Sequence, residues 1–138
     1  MPFTVAILDE VGYGYLDSAR VTELCEAAFS LRGFDTGRIG EMSVALVDDE
    51  TIQELNLKYR SIDRPTDVLS FEVDGPYGEM VGEVVISPES ASPEMGLEEL
   101  VVHGALHLSG MDHGEDFESS EMSRVQAAIM EKVRDGKE

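Results

Sequence analysis

Basic residues are scarce in this chain. Ten lysines and arginines stand against twenty-nine acids, a formal charge of −19, and only Lys58, Lys132 and Lys137 are lysines. Between Pro65 and Ser123 there is no lysine or arginine at all, against fourteen acids. Such a surface attracts polyanions poorly at ordinary salt, and DNA is not expected as a partner. One reading of the acidity is adaptation to a salty cytoplasm, where screening is strong and acidic surfaces aid solubility; the other is an acidic protein of an ordinary cell. Cysteine is almost absent too. Cys25 stands alone, so no intrachain disulfide can form, which fits a reducing cytosol. Its place in an apolar helical pattern makes it a packing residue. The start of the chain has no basic n-region, and Asp9 and Glu10 interrupt its apolar run, so neither a signal peptide nor a membrane span is expected and the protein reads as cytoplasmic. Repeats, low-complexity tracts and linkers are also missing. A length of 138 residues, 42% hydrophobic, suits one domain over 1–138 with one core.

What the chain does have is a concentration of imidazole. All three histidines fall within His103-Gly104-Ala105-Leu106-His107-Leu108-Ser109-Gly110-Met111-Asp112-His113. The run from Leu97 to Leu108 is apolar on most sides, which predicts a buried helix. On a helix, His103 and His107 project from one face, one turn apart. Gly110 stands where a left-handed residue usually ends a helix, after which the chain can bring His113 back toward the same point. A lone core histidine is more often a hydrogen-bonded structural residue than a ligand. Three crowded imidazoles in an apolar setting would each need a partner, and one divalent metal serves all three. Ligand type and spacing suit one zinc ion per chain that keeps a position open for water. The spacing is also that of the metzincin peptidases, but Gly104 stands where their general-base glutamate would be. That argues against a peptidase of that type while leaving a metal-activated water available.

The remaining chain reads as a small mixed sheet covered by helices. Phe3 to Leu8 predicts a strand with Val5 and Ile7 on one face and Ala6 and Leu8 on the other. Asp17 caps a helix with a stripe of Val21, Leu24, Cys25, Ala28 and Leu31, ended near Gly33. Ser43 to Val47 is a second strand. Asp48 and Asp49 cap the next helix, with Ile52, Leu55 and Tyr59 inward. The polar loop Arg60 to Asp67 feeds a strand, Val68 to Val73, and Val81 to Ile86 returns as its antiparallel partner. Ser87-Pro88 and Ser92-Pro93 each look like an N-cap followed by proline at the first helical position. A last helix over Asp116 to Arg134 carries Met122, Val125, Ile129 and Val133 inward. The fold class expected is α/β, α+β-like: a single domain with a four-stranded mixed sheet and a central buried helix holding the histidines.

Three blocks carry a resemblance. They are Asn56-Leu57-Lys58-Tyr59-Arg60 followed by Asp63-Arg64-Pro65-Thr66-Asp67-Val68-Leu69-Ser70-Phe71; Gly82-Glu83-Val84-Val85-Ile86-Ser87; and Val102 to His113. In these the chain resembles the YbeY family, the metal-dependent endoribonucleases and rRNA maturation factors of bacteria. With the spacing of strands around them, the blocks cover most of Ser43 to Ile129, whereas the first forty residues match only in pattern. The resemblance implies an α/β fold, zinc held by His103, His107 and His113, and a role for Arg60 near the metal cleft. It implies single-stranded RNA as substrate, with a place in 16S rRNA 3′-end maturation and ribosome quality control on the small subunit. The chain departs from the family pattern in Met111, where a tyrosine is expected, in a shortened stretch from Ser87 to Leu100, and in its acidity.

Chemistry follows from the ligand set. Zinc with three neutral ligands keeps its double charge and can lower a bound water's pKa to about 7, giving a nucleophile for a phosphodiester. Arg60 would then meet charge building on the phosphoryl group through its planar fork of donors; spacing alone would leave it a surface arginine at a helix end. Arg64 has a weaker claim to phosphate. Asp112, Asp67 and Ser70 read as groups that fix turns or orient a histidine, and Phe71 as core. Two other functions stay open: a peptidase or other small-substrate zinc hydrolase, and a non-catalytic ribosome-assembly factor with a structural metal, for which Cys25 or Asp112 would have to supply a fourth ligand. The oligomeric state is not readable from sequence.

Overall fold

A computed structural model of the chain describes residues 3–14, 16–36, 40–74, 80–91, 96–111 and 120–135. Strand β1 (Thr4–Asp9) leads to helix α1 (Ser18–Leu31), strand β2 (Glu41–Leu46), helix α2 (Asp49–Arg60) and strands β3 (Val68–Asp74) and β4 (Met80–Ile86). A single 3₁₀ turn, Pro88–Ser90, precedes helices α3 (Leu97–Leu108) and α4 (Glu121–Asp135). The first two helices start by the same device. Asp17 accepts from the Ala19 N–H at 3.0 Å and Asp48 from the Thr51 N–H at 2.9 Å, each satisfying a donor the helix leaves unpaired.

The strands form one sheet in the order β1-β2-β4-β3. β1, β2 and β4 run parallel, and β3 lies antiparallel on β4 with Leu69 opposite Val85 and Phe71 opposite Glu83. Alternation along the strands divides the core in two. Met42, Val44, Leu46, Val84 and Ile86 face α1, α3 and α4, in one cluster with Leu24, Phe29, Val102, Leu106, Met122 and Ile129. Ala45, Val47, Leu69 and Val85 face the other way and pack on Ile52 of α2, with Leu55 beside it. Helices therefore cover both faces of a four-stranded mixed sheet, the α/β architecture expected. Among the described residues no helix is long and apolar enough to cross a membrane.

The histidine-bearing helix is central. Leu100 to Leu106 and Leu108 of α3 are all buried. It runs parallel to α1, tied at both ends: Arg20 in the first turn of α1 pairs with Glu98 in the first turn of α3 at 3.4 Å, and the Arg32 Nε donates to Ser109 Oγ at 3.1 Å. α3 also lies unusually close to the sheet. A Cβ on Gly104 would stand 2.6 and 2.8 Å from the Val84 methyls and 3.0 Å from Ser70 Oγ, so only glycine fits without a shift. The Ser70 hydroxyl donates to the Gly104 carbonyl at 3.1 Å across that contact.

Some expectations need correction. Leu31 is 56% exposed, because Phe29 takes the inward place, packed edge to face between Phe3 and Phe34 at 5.9 and 5.6 Å. Leu8 is exposed because the cluster under α2 reaches β2, β3 and β4 but no residue of β1. Tyr59 is exposed and Asn56 takes the inner position of α2 instead. Ser87 is the N-cap of the 3₁₀ turn with Pro88 at its start, as expected, but makes no side-chain cap bond; its hydroxyl and that of Ser90 donate to Asp49 Oδ1 at 2.6 and 2.5 Å, so Asp49 clamps this turn while Asp48 caps α2. Ser92-Pro93 and the first residues of the expected final helix, 116–119, lie outside the described residues.

Candidate metal centre

α3 ends as the glycine signal predicts. Gly110 has φ 100°, its N–H donates to the His107 carbonyl, and the Met111 N–H donates to the Leu106 carbonyl, both at 3.0 Å. This paired closure satisfies two carbonyls that the helix end would leave bare. It also aims the Met111 carbonyl back at the last turn, where it accepts from His107 Nδ1 at 3.0 Å. The contact belongs to the backbone, so it does not depend on which side chain stands at position 111. One turn earlier, His103 Nδ1 donates to Gln126 Oε1 of α4 at 3.1 Å.

These two bonds fix the chemistry of the pair. A carbonyl and a carboxamide oxygen only accept, so each ring donates from Nδ1, and a neutral imidazole that does so keeps its lone pair at Nε2. The two Nε2 atoms face one another at 3.2 Å, rings 4.8 Å apart between centroids and inclined at 74°. Two ligands of a tetrahedral zinc, with bonds of about 2.0–2.1 Å, stand about 3.3–3.4 Å apart. The observed separation fits that, and the Nδ1 acceptors are the outer partners that metal-bound histidines use. His103 is 8% exposed and His107 only partly buried, so the pair sits where a buried helix surfaces. His113 and Asp112 lie outside the described residues, and among those described no group of three metal-ligating side chains gathers.

The sequence overlooked Gln126. It interrupts the inward stripe Met122, Val125, Ile129 and is 4% exposed, a polar residue kept in the core by the ring it orients. A polar residue at an inward helical position was the available signal. Cys25 is fully enclosed in α1, and burial pushes its thiol up to about 12, as suits a packing residue rather than a thiolate ligand.

Arg60 closes α2 and is exposed. α2 leaves the carboxyl end of β2 and runs back along the sheet, so Tyr59 meets Phe71, ring centroids 5.0 Å apart. Phe71 pairs with Glu83, next to Gly82, and a Cβ on Gly82 would lie 2.7 Å from Leu108 at the end of α3. Arg60 and His107 therefore come to the same end of the sheet, on its two faces, with edge strand β3 between them. Among the described residues no hydrogen bond joins Arg60 to either imidazole. The loop after Arg60 is held firmly. Asn56, 1% exposed, donates through Nδ2 to the Arg64 carbonyl at 2.9 Å, Ser61 takes the left-handed conformation at φ 60°, and the Ser87 N–H donates to the Asp67 carbonyl at 3.0 Å. The Asp67 backbone thus ties the loop to Ser87, Ser70 in β3 bonds to the Gly104 carbonyl of α3 rather than to the loop, and Phe71 is partly buried against the Ile52 cluster.

A mixed α/β sheet whose central helix ends in an oriented histidine pair defines a protein that presents imidazole nitrogen where a buried helix reaches the surface. The family model described as Endoribonuclease YbeY matches residues 16–134. A relative from Rubrobacter xylanophilus, described as Endoribonuclease YbeY, is 67% identical over 135 residues, 97% of this chain and 98% of its own length. Another of the same description, from Azorhizobium caulinodans, is 33% identical, covering 94% of this chain and 91% of its own. The solution structure of TM1509 from Thermotoga maritima aligns at 31% identity with a TM-score of 0.51, over 94% of this chain and 88% of that one. The chain belongs to the YbeY endoribonuclease family.

Proposed function

We propose that the protein is a zinc-dependent endoribonuclease that cleaves single-stranded RNA, acting in the cytoplasm on 16S rRNA 3′-end maturation and in quality control of the small ribosomal subunit. The single observation that carries the reading is the histidine pair: two Nε2 lone pairs directed at one point, with both Nδ1 protons already donated. His103, His107 and, by its place in the motif, His113 would hold the metal. Bound there, zinc supplies Lewis acidity toward a phosphate oxygen and acidifies water.

The chain's own residues account for the rest. Gln126 and the Met111 carbonyl hold both rings by Nδ1, the arrangement that puts the lone pair of a neutral imidazole on Nε2, where a metal would bind. Arg60, exposed at the same end of the sheet, offers parallel N–H donors to the phosphate on which charge grows. Arg64 lies on the loop that Asn56 anchors and extends the same positive edge. The packing around Gly104 adds to the motif's argument against peptidase chemistry: the contact with Val84 leaves no room for a glutamate at the position where peptidases of similar histidine spacing keep their base.

The test is paired metal content and RNA cleavage for the wild type and for His107→Ala. Cleavage of a single-stranded RNA by zinc-loaded wild type, lost together with the metal in the variant, is the expected result. One zinc per chain with equal cleavage by both proteins, or none by either, would sink the enzyme reading and favour a structural metal in an assembly factor.

A further inference from the structure

We propose that Tyr59 is a stacking platform for an unpaired RNA base, placed beside Arg60 at the entrance to the histidine site. The inference deepens the endoribonuclease reading and rests on it for the choice of ligand. Tyr59 is 57% exposed although helical periodicity assigns it to the inner face of α2. Its ring is not loose. Phe71 meets it edge to face, centroids 5.0 Å apart at 63°, and Lys58 Nζ stands 5.2 Å from its centroid. A rigid, exposed aromatic ring loses little freedom when a second ring lies on it.

Charge points to the same occupant. Three of the ten basic residues, Lys58, Arg60 and Arg64, fall within positions 58–64 of a chain that carries −19 overall. All three are exposed. Cations interleaved with an aromatic ring are the combination that binds single strands: the cations follow the phosphates and the ring takes a base, whatever its identity. A duplex keeps its bases stacked inside and offers no such face, so the platform favours unpaired RNA. Lys58 is free to leave the ring for a phosphate, since an exposed cation–π contact holds it only weakly.

Position completes the argument. Tyr59 touches Phe71 on one face of edge strand β3, while Ser70, the preceding residue, touches Gly104 of the histidine helix on the other. A strand with one base on Tyr59 and its phosphate on Arg60 needs only to cross that edge to reach His107. The sequence reads Phe71 as core, and it is partly buried against the Ile52 cluster. Its edge supports the exposed ring of Tyr59.

The chain has no tryptophan, so Tyr59→Trp introduces a single fluorophore at the site. It is titrated with an eight-nucleotide oligoadenylate and with an abasic sugar-phosphate of equal length at one fixed ionic strength. Quenching by the oligoadenylate and little by the abasic chain is expected. Tyr59→Leu, which keeps an apolar contact for Phe71, should bind oligoadenylate roughly 5- to 100-fold more weakly than wild type, and Tyr59→Phe should stay close to wild type. The proposal is overturned if bound oligoadenylate leaves the tryptophan unquenched, if the abasic chain quenches equally, or if folded Tyr59→Leu binds as tightly as wild type. Should Tyr59→Leu fail to fold, the tryptophan arm decides. Wild-type cleavage is assayed in parallel: cleavage without base-dependent quenching overturns the platform alone, and quenching without cleavage overturns the enzyme reading alone.

Discussion

Replacing Gly104 with alanine sets two effects of opposite sign against each other, and the structure says which should win. Helix propensity favours alanine over glycine by about 0.8–1.0 kcal/mol. Against that, the new methyl would stand 2.6 Å from one Val84 methyl and 2.8 Å from the other, where ordinary carbon contacts lie at about 3.5–4.0 Å. Either α3 retreats from the sheet by about 1 Å or Val84 leaves its rotamer. Overpacking of this kind costs about 1–3 kcal/mol. Retreat also lengthens the 3.1 Å bond from Ser70 Oγ to the Gly104 carbonyl, worth about 1 kcal/mol. The expected balance is a net loss of about 1–2 kcal/mol, or a melting temperature lower by roughly 3–10 °C for a chain of this size. Thermal and urea unfolding of Gly104→Ala, Val84→Ala and the double variant measure it. In the double variant the obstructing methyls are gone, so its loss should fall short of the sum of the singles by about 1 kcal/mol. A Gly104→Ala protein as stable as the wild type, or an additive cycle, would refute the steric account.

Gln126→Ala removes the acceptor of His103 Nδ1 and should weaken zinc binding by about 10- to 100-fold, read by competition with a chromophoric chelator; unchanged affinity would show that the bond does not orient the ring. Asp48 is held below its ordinary carboxylate value, first by the Thr51 side chain and then by the Thr51 N–H. A carboxyl lowered on folding adds stability above its unfolded pKa of about 3.9 and loses it as pH falls through the folded value. Wild type should therefore be more stable than Asp48→Asn at neutral pH, with the gap closing as the pH drops below about 4; a gap constant with pH would contradict the charge-based cap.

The parts of the fold that sequence reveals are those governed by neighbours along the chain. Asp17 and Asp48 announced their helices, Gly110 its left-handed exit, and the Val68 and Val81 segments their antiparallel pairing, because caps and adjacent strands act over a few residues. The parallel pairings of β1 with β2 and of β2 with β4 join distant segments, and no local signal fixed their order. Apolar periodicity misplaced Leu31 and Tyr59 for a related reason: what faces inward at a helix end depends on what the rest of the molecule puts there, Phe29 in one case and Asn56 in the other. At the site, His103 and His107 were legible as a helical pair, while Gln126 showed only as a polar residue at an inward position of its helix, with nothing to say what it bonds. A buried polar residue is recognised by its partner, and that partner lies twenty-three positions away.

The bond between His103 and Gln126 also sets a schedule. Chains are made from the amino end at roughly 5–20 residues per second, and domains fold as their segments emerge. The sheet and α3 are complete in sequence by Leu108, yet the residue that fixes the tautomer of His103 arrives only with α4. Until position 126 has cleared the exit tunnel, Gln126 cannot accept from His103 Nδ1. On the proposed function, the growing chain therefore carries the histidine pair before it carries the group that orients it, and full metal affinity would follow only once the last helix has packed.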